Sequence, residues 1–244
     1  MSTGRANFGI DAPGVIRNFA LIAIVGVALG VGGQFSPALH RIGGIGFGVA
    51  MVCAVQGLWM LWTSLQGKRI AARQLMDRAA LRGGEQVLDL GCGRGLLLIE
   101  AARRLSAGGG KSTGLDIWNA EDLSGNARTA TLANAAACGV SDRVELVDGD
   151  MRAMPFDAAR FDVVVSSLAI HNVYLADERA QALREISRVL KPSGRVLLQD
   201  FRHTGDYARD LRALGFTDVR RTMVNPLLMF PLTWRVEGTG PDRA

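Results

Sequence analysis

The chain has 244 residues, 48% of them hydrophobic and 21% charged, with a net charge of +5. This length allows one domain with an appendage or two small domains, and the apolar content excludes a disordered chain. The basic excess does not indicate a nucleic-acid-binding protein, because beyond residue 67 the two signs are mixed and nearly balanced. Cys53, Cys92 and Cys138 form neither a disulfide framework nor a metal-binding motif, which fits a reducing compartment, and we expect no metal site.

Two apolar runs near the N-terminus predict a pair of membrane-spanning helices. Residues 19–33 contain no charged side chain, and residues 42–62 contain Gln56 as their only strongly polar member. At 1.5 Å per residue the second run reaches about 31 Å, which is close to the hydrocarbon thickness of a bilayer. The connection between the runs is short enough only for an antiparallel hairpin. We therefore expect a transmembrane hairpin over residues 1–67, with helices at about 15–35 and 42–63.

The charges that flank the two runs predict the orientation of the hairpin. Basic residues cluster after the second run, Arg5 and Arg17 precede the first, and the turn holds a single arginine. Both ends, and with them the rest of the chain, are expected to face the cytoplasm. A secretory signal sequence and a buried helical hairpin in a soluble oligomer are the alternatives. Two pairs of glycines have the four-residue spacing that favours close helix packing in lipid and would allow an oligomer, Gly26 with Gly30 and Gly44 with Gly48.

From residue 68 onward the pattern changes to short apolar runs that alternate with helical stretches. Strands are predicted at 86–90, 112–116, 144–147, 162–166, 195–200, 217–224 and 232–237, and helices at 68–82, 96–105, 125–138, 177–190 and 205–214. Strands that are apolar on both faces and alternate with helices are typical of a parallel sheet covered by helices. We therefore predict an α/β domain over residues 68–244.

A glycine-rich turn follows the first predicted strand. The segment VLDLGCGRG, Val87–Gly95, places Asp89 ahead of Gly91, Gly93 and Gly95, which occupy alternate positions. Glycine lets the chain turn tightly and lets a ligand lie against bare backbone. The dinucleotide fingerprint is G-x-G-x-x-G, whereas here the third glycine comes one residue early and a nearby acid would repel a pyrophosphate. The spacing favours S-adenosylmethionine over NAD.

Acidic residues follow the next two predicted strands. Asp116 ends the second strand, where a carboxylate can accept both ribose hydroxyls of a nucleoside. After the third strand, Asp150 can accept the adenine amino group, and Met151 can pack on the adenine ring. Each acid alone could equally be a solvated loop residue or a helix cap. Together with the glycine turn, they converge on the carboxyl edge of a parallel sheet, where open α/β proteins bind ligands.

Residues 85–201 resemble the class I S-adenosylmethionine-dependent methyltransferases, in particular those of ubiquinone and menaquinone biosynthesis. The resemblance is carried by VLDLGCGRG, LDIW, VDGDMRAMPF, FDVVVSSLAIHNV and REISRVLKPSGRVLLQDF, in that order. It implies a Rossmann-like, seven-stranded sheet with helices on both faces and a reversed last strand. It also implies cofactor contacts at Asp89, Gly91, Cys92, Gly93, Gly95, Asp116, Ile117, Asp150, Met151 and Ser167. The chain differs from the quinone-type members at His171, where they commonly carry arginine.

Methyl transfer is an in-line displacement in which positioning supplies most of the acceleration. A base is needed only when the acceptor loses a proton, and His171 and Tyr174, which follow the fourth strand, are the candidate catalytic residues. The leading hypothesis is a membrane-anchored methyltransferase that acts on a small hydrophobic or lipid-like acceptor. The alternatives are a protein methyltransferase acting on a membrane neighbour and a non-catalytic module that binds S-adenosylmethionine.

Overall fold

The computed structural model describes residues 6–106, 109–119 and 123–242. The helices within these residues are α1 (Pro13–Gly32), α2 (His40–Trp62), α3 (Lys68–Ala79), α4 (Leu96–Ala102), α5 (Arg128–Ala137), α6 (Ala176–Val189) and α7 (Thr204–Ala213). The strands are β1 (Gln86–Leu90), β2 (Lys111–Asp116), β3 (Val144–Asp148), β4 (Phe161–Ser167), β5 (Leu190–Asp200), β6 (Thr217–Met223) and β7 (Trp234–Thr239). Short helical turns lie at Gly33–Phe35, Pro37–Leu39, Thr63–Gly67, Ser141–Arg143 and Ile170–Asn172. All seven predicted strands are present.

Helices α1 and α2 form the predicted antiparallel hairpin, and glycines lie where their backbones meet. A Cβ atom added at Gly26 would lie 2.6 Å from the carbonyl oxygen of Gly46, and one added at Gly33 would lie 2.7 Å from Cα of Gly43. Such a close approach is available only to residues without a side chain. A Cβ atom added at Gly44 or Gly48, by contrast, would meet no other described residue within 4 Å, so this pair takes no part in packing the hairpin.

The hairpin continues into the next domain without a linker. Helix α2 passes through the π-helical turn Thr63–Gly67 directly into α3, so the predicted boundary after residue 67 falls inside one unbroken helical run. Helix α3 buries Leu75 and Met76 completely against the sheet. It ends at Ala79, earlier than predicted, because Ala80 adopts the left-handed conformation that stops a helix.

The seven strands form one sheet in the order β3–β2–β1–β4–β5–β7–β6. Strand β7 is antiparallel to both of its neighbours, while β1 to β5 pair in parallel. The predicted Rossmann-like sheet with a reversed last strand is therefore confirmed. The strand order changes direction between β1 and β4, which opens a crevice at their carboxyl ends.

The core lies on both faces of the sheet, which explains the continuous apolar strands. In β1, Leu88 and Leu90 face the cluster that α6 and α7 complete, while Val87 faces the cluster of α3 and α4. Strand β5 starts five residues earlier than predicted. Its first residue, Leu190, pairs with Phe161, and Arg195 pairs with Val163, so the KPSG segment between them is an irregularity that interrupts the pairing, as its turn-like composition suits.

Residues 6–11 pack on the sheet domain, although the sequence predicts them as part of the hairpin unit. Phe8 is buried beside Ile99 and Ala102 of α4 and Ala135 of α5. The segment precedes the hairpin in the chain and returns to contact the domain that follows it. The two predicted units are thus interleaved rather than consecutive along the chain.

The hairpin is attached at the carboxyl edge of the sheet. Ala71, in the first turn of α3, packs in one cluster with Leu168, which directly follows the last residue of β4. Leu228 and Met229, from the connection between β6 and β7, complete the same cluster. The two apolar helices α1 and α2 are therefore attached at the edge where an α/β sheet binds its ligands.

Candidate active site

The glycine turn after β1 has the backbone conformation that its sequence demands. Gly91, Gly93 and Gly95 have φ values of +66°, +51° and +82°, which residues with a side chain rarely adopt. The amide of Gly91 donates a hydrogen bond of 2.8 Å to the carbonyl oxygen of Leu115. A Cβ atom added at Gly91 would lie closer than 3.0 Å to Cβ of Ala169. The predicted glycine cradle is therefore present between β1 and the segment after β4.

Asp89 lies beneath this turn and is fully buried. Its carboxylate accepts a hydrogen bond of 2.9 Å from the amide of Leu98, which ties the end of β1 to the first turn of α4. Burial, reinforced by the neighbouring charge of Asp116, raises the pKa of Asp89 to about 7. Near neutral pH, a cation placed beside this carboxyl group would favour its ionised form.

Asp116 stands at the end of β2 and faces the glycine turn. Its two oxygens accept hydrogen bonds of 2.7 Å from the amides of Gly93 and Trp118. The side-chain nitrogen of Asn126 lies 3.5 Å from the same carboxylate, and in the described part of the chain its Oδ1 is buried without a hydrogen-bond partner. A niche rich in acceptors suits the hydroxyl donors of a ribose, so the residues present fit the predicted cofactor.

The segment after β3 flanks the other side of the turn. Met151 places its Cε 3.8 Å from the position of a Cβ at Gly91, so its side chain borders the cradle. Asp150 accepts charge-assisted hydrogen bonds of 2.6 to 3.0 Å from the guanidinium of Arg152, and this arginine lowers the pKa of Asp150. Recognition of the adenine amino group by Asp150 remains a prediction. A hydrogen bond from that amino group would share the Asp150 carboxylate with Arg152.

Two polar residues of this edge were missed from the sequence. They are Asn126 and Asp148. Asp148 pairs in register with Asp116 across β2 and β3. Its carboxylate accepts hydrogen bonds from the indole of Trp118, at 2.8 Å, and from Arg128, at 2.7 Å. The position of Asp148 at the end of β3 could have indicated it, because the ends of parallel strands align. Asn126 offered no such signal.

Three other predicted cofactor-binding residues occupy different environments. The thiol of Cys92 is buried with Leu98 and Leu146, and burial raises its pKa, so only its backbone can face a ligand. Ile117 follows β2 and is exposed. Ser167 ends β4, where its hydroxyl accepts a hydrogen bond of 3.4 Å from Gln199. Their assignment as cofactor contacts stays a prediction.

His171 lies in the short helical turn after β4, beside a buried carboxylate. Asp200, which is 2% exposed, accepts hydrogen bonds from the backbone amide of His171 at 3.1 Å and from the hydroxyl of Tyr207 at 3.2 Å. The imidazole Nδ1 is 2.8 Å from Oδ1 of Asp200, an ion-pair distance at which the N–H direction is not that of a linear hydrogen bond. The edge of the Phe201 ring lies against the imidazole. Asp200 thus holds the turn and the ring of His171 together.

Tyr174, the second predicted catalytic residue, is located at the surface. It is 89% exposed, and its backbone oxygen accepts a hydrogen bond of 2.7 Å from Arg179. The prediction of a catalytic role for Tyr174 finds no supporting contact among the described residues. Its position makes it part of the rim of the carboxyl edge.

Comparison with known proteins identifies the domain. Residues 88–198 match the family model described as "Methyltransferase domain". The chain is 32% identical over 136 residues to a sterol 4-C-methyltransferase of Caenorhabditis elegans, covering 56% of this chain and 37% of that protein. It is 35% identical over 133 residues to a ubiquinone/menaquinone biosynthesis C-methyltransferase of Roseobacter denitrificans, covering 54% of this chain and 49% of that protein. The chain thus spans about half or less of the length of these curated relatives.

Solved structures agree on the fold. A [4+2]-cyclase, SpnF, is similar with a TM-score of 0.60 at 18% identity, covering 74% of this chain and 84% of the cyclase. An S-adenosylmethionine-dependent methyltransferase of Aquifex aeolicus is similar with a TM-score of 0.55 at 17% identity, covering 69% of this chain and 88% of that protein. At such identities the likeness establishes the architecture alone, and the cyclase illustrates that one architecture hosts different reactions. The match of residues 88–198 to the methyltransferase domain confirms the predicted family resemblance, and the glycine turn and the acceptors around Asp116 fit S-adenosylmethionine as the cofactor.

Proposed function

We propose that this protein transfers a methyl group from S-adenosylmethionine to a carbon atom of a hydrophobic, lipid-like acceptor that enters from a membrane. The names of the two relatives, a sterol 4-C-methyltransferase and a quinone-biosynthesis C-methyltransferase, support carbon as the methylated atom and an apolar ring compound as the acceptor. Because the chain covers only part of each relative, the acceptor must be inferred from the site itself.

The observation that carries the proposal is the position of the hairpin at the carboxyl edge. The connection between β6 and β7 contacts both hairpin helices there. The ring of Phe230 lies edge-on to Trp59, with centroids 5.0 Å apart, and to Phe19, at 6.4 Å. Exposed apolar side chains border the same edge: Tyr174, Leu175, Leu227 and Leu232. These side chains are suited to guide an apolar acceptor from the hairpin side toward the cofactor site.

The exposure of the hairpin supports its placement in a bilayer. Both helices are long and apolar enough to cross a membrane, a criterion that a soluble core helix or a signal sequence can also meet. A core helix would bury its large apolar side chains. Here Ile24, Ile45 and Leu58 are 65%, 67% and 68% exposed. With the flanking basic residues, this supports an integral hairpin whose methyltransferase domain faces the cytoplasm.

The chemistry requires alignment and, for a carbon acceptor beside a hydroxyl group, removal of one proton. Bound S-adenosylmethionine supplies a methyl carbon made electrophilic by its sulfonium sulfur. Asp116 and the glycine turn would hold the nucleoside part of the cofactor and so position it for transfer. His171 is the proposed base: with Nδ1 turned toward Asp200, Nε2 is the nitrogen left for the acceptor. The buried carboxylate of Asp200 would stabilise the imidazolium that forms.

The test uses the full chain, purified in detergent, with S-adenosylmethionine carrying a labelled methyl group. Equal samples receive a membrane-lipid extract or an aqueous extract of the same cells, and the labelled product is identified by mass spectrometry. We expect label in the lipid fraction, on a carbon that resists hydrolysis. Label found only in aqueous compounds would refute the proposal. Label on a copurifying membrane protein would favour a protein methyltransferase instead.

A further inference from the structure

Residues 6–11 form a segment, here called the strap, that joins the hairpin to the cofactor site and takes no part in the mechanism above. It precedes α1 in the chain and lies across the first turn of α3, the glycine turn and the loop after β2. Apolar packing holds it at Phe8, and hydrogen bonds hold it along the rest of its length. Such a segment needs specific partners at each point, and the structure provides them at three.

The first attachment is Lys68, the residue at which the π-helical turn becomes α3. Lys68 is 8% exposed, and its ammonium donates hydrogen bonds to the carbonyl oxygens of Phe8 at 3.0 Å and Gly9 at 2.9 Å. A third bond, of 2.8 Å, goes to the carboxylate of Asp11. An ammonium group has three donors, and all three are used here, which offsets the cost of burying the charge. Lys68 therefore fastens the strap to the base of the hairpin.

The second attachment reaches into the glycine turn. Arg94 stands between Gly93 and Gly95, and its Nε donates a hydrogen bond of 2.8 Å to the carbonyl oxygen of Asn7. The buried amide of Asn134 donates to the same oxygen at 2.8 Å and to the carbonyl oxygen of Arg94 at 2.9 Å. The strap and the turn thus share hydrogen-bond partners. Displacing the strap would leave the side chain of Arg94 without its Asn7 acceptor.

The third attachment is the loop that follows β2. The amide of Ile10 donates a hydrogen bond of 3.0 Å to the hydroxyl of Ser124, and the guanidinium of Arg94 donates one of 3.0 Å to the carbonyl oxygen of Ser124. Asp11 and Leu123 form an isolated antiparallel bridge. Two residues after Ser124 comes Asn126, whose amide lies beside Asp116. The strap therefore joins both walls of the nucleoside niche.

We propose that Lys68 is a positioning residue for cofactor binding, and that the strap is the connection through which it acts. In the described contacts Lys68 touches none of the predicted cofactor-binding residues, and its three hydrogen bonds all go to residues 6–11, which makes the strap the route of its effect on the cofactor. With the strap fastened, the glycine turn and the loop at Ser124 are ordered before the cofactor arrives. Without it, binding must also order them, which weakens affinity about tenfold or more. The inference needs only S-adenosylmethionine binding and does not depend on the acceptor.

The test replaces Lys68 by methionine in the full chain, held in lipid nanodiscs. Calorimetry then gives the Kd for S-adenosylmethionine and for S-adenosylhomocysteine, and hydrogen exchange reports on residues 6–11 and 123–126 without any cofactor. We expect Kd to rise about tenfold and exchange to accelerate in both segments, while turnover at saturating cofactor stays near that of the parent. Arg73→Met is the matched control, because Arg73 is an exposed residue of the same helix, and it should change neither quantity.

A second variant keeps the proposal testable if Lys68→Met does not fold. Ser124→Ala removes the hydroxyl that accepts a hydrogen bond from the amide of Ile10, which loosens the strap at its opposite end and should also raise Kd. Because both changes act through one segment, the double variant should lose little more than either single one. Unchanged Kd values with unchanged exchange would overturn the proposal. So would a loss of turnover at saturating cofactor with normal Kd. Absence of methylated lipid product, by contrast, would bear only on the proposed acceptor.

Discussion

Replacing Gly91 by alanine should destabilise the methyltransferase domain through two separate effects. Gly91 has a φ of +66°, and a residue with a Cβ atom in that conformation costs about 1–2 kcal/mol. The new methyl group would also lie closer than 3.0 Å to Cβ of the buried Ala169, and overpacking of this kind costs about 1–3 kcal/mol. The expected loss is about 2–5 kcal/mol of unfolding free energy, or a fall of Tm by about 4–20 °C for a domain of this size.

Thermal unfolding followed by circular dichroism, with each variant in the same detergent, measures this loss. Gly205→Ala is the control, since a Cβ atom added at Gly205 would meet no other described residue within 4 Å and the residue lies in the first turn of α7. A second change, Ala169→Gly, separates the two effects: in the double variant the clash disappears and only the backbone strain remains. A Tm equal to that of the parent for Gly91→Ala would refute the reasoning. A double variant, Gly91→Ala with Ala169→Gly, whose Tm is no higher than that of Gly91→Ala alone would also refute it.

Three further changes test the site. The folded protein keeps the proton of Asp89 up to about pH 7, whereas the unfolded chain releases it near pH 4, so the Asp89 contribution to stability falls as pH rises between these values. Asp89→Asn should therefore flatten the pH dependence of Tm from pH 5 to pH 8, and an unchanged slope would contradict the assignment. Asp116→Ala should weaken S-adenosylmethionine binding by roughly 5- to 150-fold, from about 1–3 kcal/mol of lost hydrogen bonding, as calorimetry would show. His171→Ala should keep cofactor affinity and lower turnover about 100-fold, with His171→Gln equally impaired if the residue removes a proton; normal turnover in both variants would leave His171 a structural role.

Local spacing explains what could be predicted. Alternate glycines after an apolar strand demand positive φ values, and Gly91, Gly93 and Gly95 have them. The position of Asp116 beside the glycine turn was predictable because a parallel sheet places the ends of neighbouring strands together, whatever lies between them in the chain. The hairpin helices were predictable from two uninterrupted apolar runs. In each case the sequence signal lies within about twenty residues.

The features that were missed depend on partners far apart in the chain. Lys68 reads as one of a group of basic residues beside a membrane, yet its side chain is buried by Phe8 and Gly9, about sixty residues away. The role of Asn126 depends on the fold of its loop against Asp116. The continuity of α2 and α3 was missed because the apolar run ends at residue 62, where a membrane-spanning helix was predicted to end. Gly67 lets the connection at Leu228 approach this continuous helix closely.

The π-helical turn at Thr63–Gly67 sets how the sheet domain is rotated relative to the hairpin about their shared helix axis. A π turn carries one residue more than the α-helical turn it replaces, and each residue of an α-helix advances the direction of its side chains by about 100°. Deleting a single residue there would give a more regular helix. It would also rotate the sheet domain relative to the hairpin by about 100° around the helix axis. Phe230 would then no longer meet Trp59, and Lys68 would face away from residues 6–11. The number of residues in this turn therefore sets the direction in which the catalytic edge faces.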